Sequence, residues 1–361
     1  MKPTQKLHEA GQSIWLDNIT RDLLASGTLR RYIDELSVTG LTSNPTIYDK
    51  AIEGTESYDE TIREKLDRGI EGEDPFFEVA LEDLREAADT FRPIYERTNG
   101  VDGWVSLEVS PLLAYDPETT LREAVKLYGK ADRPNLFIKI PGTHEGLKAI
   151  EEAILAGVPV NVTLLFDSKH YLAAAEAYVR GIERRVEAGL DPFVGSVASV
   201  FVSRWDGAVA GKVPKELDLK LGIAQSKRMY AAYRSLLDSD RWQRLANEGA
   251  KPQRLLFAST GTKDPNASDV LYITALAAPY TVNTMPEATL LAFGDHGGVT
   301  GVMPADGGDA EATIAEFAKA GIDVDALALQ LQQQGAESFD KSWDELMGCI
   351  ARKTSALMAA R

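Results

Sequence analysis

Lys139 stands in the run NLFIKIPGTHEGL, residues 135–147, with Leu136, Phe137, Ile138 and Ile140 around it. Those neighbours read as a short buried strand, and lysine is almost never fully buried without a partner or a task. An ammonium in apolar surroundings is costly, and such a group tends to give up its proton. A lysine so placed is a nucleophilic amine, suited to forming a Schiff base with a carbonyl compound. The protonated imine then acts as an electron sink for cleavage of a neighbouring carbon–carbon bond. That chemistry also needs acids and bases, and Asp17 in SIWLDN and Glu108 in GWVSLEV are carboxylates placed to supply them. The same pattern fits a plain buried ion pair of Lys139 with Glu108 or Asp17, and the local sequence does not separate the two readings.

Groups this far apart in sequence converge only if regular elements carry them. Short apolar runs recur at 13–18, 38–44, 103–109, 135–141, 159–166, 194–203, 254–260 and 280–285. Most are rich in β-branched or aromatic residues, as buried parallel strands are. Amphipathic helical patterns lie between them, at 76–97, 119–131, 145–156, 168–189 and 222–237, and in the tail from Asp309 onward. Strand and helix alternating about eight times predicts an α/β fold, best met by a (β/α)8 TIM barrel. A doubly wound sheet is the weaker alternative, because no G-x-G-x-x-G follows an early strand. The long connections 49–102 and 206–253 read as helical insertions, so residues 1–361 are expected to form one barrel domain with a helical C-terminal extension at about 309–361.

In such a barrel the chemistry sits at the C-terminal ends of the strands. The successive runs bring Asp17; Thr42, Ser43 and Asn44; Glu108; Lys139; Asn161 and Thr163; Ser199, Ser203 and Arg204; Ser259; and Asn283 and Thr284. Nearly every strand end thus offers a group able to bond a sugar hydroxyl, where a structural barrel could use Val or Ile.

Composition narrows the partners. The 361 residues carry 39 basic and 55 acidic side chains, a net charge of −16, which argues against general nucleic-acid binding and against an anionic membrane surface. An anionic substrate would therefore demand a local basic pocket. The single cysteine, Cys349 in WDELMGCIARK, permits no internal disulfide and reads as a buried helical residue. No signal-like apolar core opens the chain and no run approaches a membrane span of about 20 residues, so a reducing cytoplasm is expected. The four histidines, His8, His144, His170 and His296, lack metal-ligand spacing, so no metal is expected, and a lysine that supplies its own electron sink would need no cofactor. The glycine-rich GDHGGVTG at 294–301 reads as a turn rather than a phosphate cradle, and Trp15, Trp104 and Trp205 as core.

Two longer segments carry a resemblance. GLTSNPTIY, residues 40–48, and LFIKIPGTHEGLKAI, residues 136–150, resemble the two signatures of the transaldolase family, the second holding its Schiff-base lysine. SIWLDN, VSLEVSP, VNVTLLF and ASVFVSR are similar to its other strand-end segments in the family's order, and weaker similarity continues through LLFASTGTKDP and YTVNTMPEATL. The resemblance implies a pentose phosphate pathway transferase that moves a dihydroxyacetone unit from sedoheptulose 7-phosphate to glyceraldehyde 3-phosphate, giving erythrose 4-phosphate and fructose 6-phosphate. It implies that Lys139 forms the imine and that Asp17 takes the proton of the hydroxyl at which cleavage begins. Glu108, with Thr163 and a water, would move protons during imine formation. Asn44 and Ser199 would hold the dihydroxyacetone hydroxyls, supported by Asn161 and Thr42, with Phe201 lining the pocket and Arg204 gripping the phosphate.

One stretch departs from the family pattern. Many members place a second arginine just after the seventh strand, where this chain has Gly261 in ASTGTKDP, and Lys263 and Ser259 are the obvious substitutes. Two rivals stay open on sequence: an aldolase that releases free dihydroxyacetone, and an idle sugar-phosphate-binding protein, the latter disfavoured because Lys139, Asp17 and Glu108 are all present. A monomer or a homodimer is expected.

Overall fold

Each of the eight apolar runs becomes a strand in the computed structural model, which describes residues 1–68 and 72–359. They are β1 Gln12–Asp17, β2 Val38–Thr42, β3 Val105–Glu108, β4 Leu136–Pro141, β5 Val160–Leu165, β6 Ser196–Phe201, β7 Arg254–Ala258 and β8 Thr281–Met285. The sheet runs in the order β2-β1-β8-β7-β6-β5-β4-β3, and every pairing is parallel. Its two free edges meet at one parallel bridge between Gly40 and Trp104, where the Leu41 N–H donates to Trp104 O at 3.0 Å. The result is a nearly closed (β/α)8 barrel.

Gly40 makes that seam possible. A Cβ there would lie 2.7 Å from the Trp15 ring and from Trp104 O, so a larger residue would push the two edges apart. Below the seam Trp15, Trp104, Phe137, Val197, Leu256 and Val282 fill the barrel in a cluster separate from the core between strands and helices. Trp104 stacks on Phe137 with ring centres 4.0 Å apart.

This apolar layer explains where the polar groups go. Side chains alternate along a strand, so the residue two further on faces the same side. Trp15 leads to Asp17, Phe137 to Lys139, Val197 to Ser199 and Val282 to Thr284. The register then aligns neighbours: Glu108 pairs with Lys139, Lys139 with Asn161, and Asp17 with Thr42.

The helices follow the expected pattern within a few residues, among them Asp74–Arg97, Pro117–Ala131, Gly146–Leu155, Ser168–Glu187 and Leu221–Leu237. The long connections are helical as expected, with Asp59–Asp67 and Asp74–Arg97 in the first and Leu221–Leu237 and Asp240–Asn247 in the second. The sequence pattern does not announce the helices Pro3–Glu9, Arg21–Ala25, Thr28–Leu36, Leu271–Ala275 and Glu287–His296, which at five to ten residues are too short for their periodicity to stand out. Cys349 is buried, as its helical context suggested.

The tail after Asp309 forms the helices Ala310–Lys319 and Val324–Ala359, and the latter crosses the open mouth of the barrel. Gln332 Nε2 donates to Gly142 O at 3.1 Å and to Leu164 O at 3.0 Å, which satisfies carbonyls just beyond β4 and at the end of β5. Thr46 Oγ1 donates to Ser342 Oγ at 3.1 Å, and Trp343 Nε1 to Glu73 Oε1 at 2.7 Å. Gly335 lets this helix settle: a Cβ there would come within 2.7 Å of the Leu164 side chain. No helix among the described residues is long and apolar enough to cross a membrane.

Candidate active site

At the C-terminal ends of the strands lies a cavity of about 540 Å³. Asp17, Thr42, Asn44, Lys139, Asn161, Thr163, Ser199, Phe201, Arg204, Ser259 and Lys263 all line it. Glu108 does not; it lies behind Lys139, whose Nζ donates to Glu108 Oε1. Both readings of the buried lysine therefore meet in one place: Lys139 is ion-paired, and it also borders a cavity.

Glu108 is buried, and Asp17 is part-buried at the cavity wall. Burial pushes the Glu108 carboxyl above its ordinary range, against the opposing pull of the Lys139 charge. Asp17 is also raised by burial, with the Thr42 hydrogen bond, the Lys139 charge and Asn44 acting the other way. Thr42 Oγ1 donates to Asp17 Oδ1 at 2.8 Å and lies 2.8 Å from Thr284 Oγ1. Carboxyls raised in this way beside a reactive amine suit proton exchange.

Around them is a fixed polar ring. Asn161 Oδ1 accepts from Ser199 Oγ at 2.7 Å, and its Nδ2 donates to Ser106 Oγ at 3.1 Å. Asn44 caps the helix Pro45–Gly54, its side chain accepting from Ile47 N at 3.1 Å. Thr163 Oγ1 is buried without a hydrogen-bond partner among the described residues, and such a hydroxyl is costly unless a ligand or water meets it. Ser259 takes a left-handed conformation, φ 57°, and its Oγ lies 2.8 Å from Ser203 Oγ.

The charges on the cavity wall run against the protein's net charge. Lys139, Arg204 and Lys263 face a single lining carboxylate, Asp17. Arg204 has no carboxylate partner among the described residues, and burial lowers its pKa from the ordinary value. Its Cζ lies 5.1 Å from the Phe201 ring centre and 6.0 Å from that of Phe339. A guanidinium packed on aromatic faces keeps its N–H edge for hydrogen bonding. Lys263 is exposed and makes no ion pair among the described residues. Gly261 also lines the cavity, and a Cβ there would sit 3.3 Å from Pro286 Cγ. This is the local basic pocket that an anionic substrate would need.

Some strand-end groups take other roles. Ser203 and Thr284 line the cavity, but Ser43 Oγ donates to Ser106 O at 2.7 Å and Asn283 Oδ1 accepts from Thr260 Oγ1 at 3.0 Å, both outside the lining. Ser43 follows β2 and Asn283 precedes an inward-facing threonine, so alternation points them elsewhere. The sequence reading missed Ser338, Phe339 and Ser342, which the helix Val324–Ala359 lowers onto the cavity. The Phe339 ring centre is 5.3 Å from Lys139 Nζ. Two serines four apart flanking an aromatic residue were the available signal, but helical spacing alone does not say what a face will meet. Among the described residues no group of three or more His, Cys, Asp or Glu side chains is arranged to hold a metal.

A family model described as transaldolase/fructose-6-phosphate aldolase matches residues 14–350. The transaldolase of Frankia alni is 44% identical over 97% of this chain and 97% of its own length. That of Thermobifida fusca is 45% identical over 98% of this chain and 99% of its own. For the transaldolase of Saccharopolyspora erythraea the identity is 46%, over 96% of each chain.

Proposed function

The chain belongs to the transaldolase/fructose-6-phosphate aldolase family, and from that premise we propose how this transferase uses its site on phosphorylated sugars. The Lys139 amine adds to the ketose carbonyl of sedoheptulose 7-phosphate. Glu108, bonded to Nζ, takes a proton from the amine and, with Thr163 and a water, returns it to the departing hydroxyl. Loss of water leaves the protonated imine.

Asp17 then removes the proton of the β-hydroxyl. The bond between the α and β carbons breaks, its electron pair flows into the iminium, and erythrose 4-phosphate leaves. The dihydroxyacetone unit stays on Lys139 as an enamine, its hydroxyls held by Asn44 and Ser199, with Asn161 and Thr42 fixing the donors around them. Glyceraldehyde 3-phosphate enters, the enamine attacks its aldehyde carbon, and Asp17 returns the proton to the new hydroxyl. Hydrolysis of the second imine releases fructose 6-phosphate. The lysine supplies the electron sink, so this scheme needs no metal or cofactor.

Arg204 grips the phosphate, with Ser259 and Lys263 beside it, because an unpaired guanidinium in a half-buried site suits a tetrahedral dianion. Transfer is favoured over release of free dihydroxyacetone by the near-full-length likeness to proteins named transaldolase, at 42–46% identity. The chain acts as one barrel unit whose C-terminal helix Val324–Ala359 covers the mouth. A reducing cytoplasm suits its single buried thiol, and a monomer or homodimer suffices, since one chain supplies the whole lining.

The observation that carries this reading is Lys139 on Glu108 at the wall of a cavity that also holds Asp17 and an unpaired Arg204. Borohydride reduction with fructose 6-phosphate, followed by peptide mapping, tests it. The reduced three-carbon or six-carbon adduct is expected on Lys139 alone and absent from Lys139→Met. An adduct on another lysine, or full turnover by Lys139→Met, overturns the assignment.

A further inference from the structure

The hydroxyl of Thr284 lies on the cavity wall, with Thr42 Oγ1 2.8 Å away as its protein partner, and Thr42 in turn bonds Asp17 at 2.8 Å. The strand order allows the contact: β2 and β8 flank β1, Thr42 lies in register with Asp17 and Thr284 with Trp15, and the two inward-facing threonines meet across β1. We propose that Thr284 is a positioning residue for the general base. It lets Thr42 reverse its hydrogen bond, so that Asp17 is fully partnered whether it carries a proton or not. The inference rests on the imine reading above.

A threonine hydroxyl has one proton to donate and lone pairs to accept with. An ionised carboxylate can only accept. While Asp17 is ionised, Thr42 gives its proton to Asp17 and can accept from Thr284. When Asp17 carries a proton toward Thr42, Thr42 becomes the acceptor and must turn its own proton to Thr284. Thr284 then directs its proton into the cavity, where the sugar hydroxyls lie in the proposed complex. Without an acceptor at position 284, Thr42 has only one place to send its proton, and that is Asp17. The carboxylate is then favoured and the protonated acid penalised, although the reaction needs both in turn.

The remaining influences on Asp17 do not reverse. Lys139 from β4 pulls its titration down, Glu108 from β3 repels it, and Asn44 is a neutral donor. Glu287, on the helix packed beside β1, is engaged by Asn18 and Tyr32. The Thr42–Thr284 pair is thus the part of the surroundings able to follow the proton.

Thr284→Val keeps the branched shape on a strand and removes only the hydroxyl, whereas Thr284→Ser keeps the hydroxyl. For Val, the acid limb of the kcat profile should move down by about 0.5–1 pH unit, the worth of one neutral hydrogen bond. The kcat plateau should fall about 2–10-fold with KM for fructose 6-phosphate unchanged. Borohydride trapping on Lys139 should persist, and Ser should restore both the limb and the plateau. An unmoved acid limb in Val, or a Ser variant as impaired as Val, overturns the proposal. Failure of trapping on Lys139 in the unmodified protein would instead count against the imine reading itself.

Discussion

Replacing Arg204 by Leu removes a half-buried cation on the cavity wall that has no carboxylate partner among the described residues, while keeping an apolar stem between Phe201 and Phe339. A phosphate bound there receives charge-assisted hydrogen bonds, each worth about 1.5–3 kcal/mol. Losing one such interaction corresponds to about a 10–150-fold drop in kcat/KM, and losing a bidentate pair puts the effect at the upper end. The contact is made only by a phosphorylated sugar, so the loss should be selective. The assay compares kcat/KM for fructose 6-phosphate and for fructose in both proteins, with erythrose 4-phosphate as acceptor. Inorganic phosphate should compete with fructose 6-phosphate in the unmodified protein and only weakly in the variant. At a net charge of −16 the protein as a whole repels anions, so competition reports a local site. Equal losses for fructose and its phosphate would refute the assignment and mark Arg204 as a packing residue.

Lys263→Ala should show the same selectivity in a smaller loss, about 3–10-fold, because an exposed ammonium lacks a bidentate fork; unchanged discrimination would make Lys263 a solvated loop residue. Asp17→Asn should retain trapping on Lys139, lower kcat and raise thermal stability at neutral pH. The folded pKa of Asp17 lies above its unfolded value, so its favourable contribution is full below about pH 3.9 and is lost as pH rises through the folded pKa. The gain in thermal midpoint should therefore be larger at pH 8 than at pH 5, and a destabilised variant at pH 8 would contradict the buried-carboxylate account.

The barrel was legible because buried parallel strands betray themselves locally, as short apolar runs interrupted at one place by a polar residue. Lys139 after Phe137 and Asp17 after Trp15 are such interruptions, and alternation alone puts them over the apolar layer. The concealment of Glu108 behind Lys139 was harder to see, since it depends on the β3–β4 register rather than on either strand. The pairing of Thr42 with Thr284 depends on ring closure, which brings residues 242 positions apart into contact. Least legible was the end of the chain. Periodicity announces the helix Val324–Ala359 but not which end of the barrel it crosses, and Phe339 acquires its place beside Lys139 only through that docking.

That docking has a consequence for how the enzyme comes into being. Synthesis proceeds from the N-terminus, and β8, the last strand, ends at Met285, well before Ser338, Phe339 and Ser342 exist. All eight strands, with Lys139 and Asp17 on them, are therefore synthesised before the residues of the roof. In that interval the amine is open to any small aldehyde or ketone that diffuses past, with no Phe339 to narrow the approach. Vulnerability of Lys139 to adventitious carbonyl adducts should thus be a property of youth, highest on stalled or prematurely terminated chains and suppressed once the final helix has emerged and settled on Gly142 and Leu164.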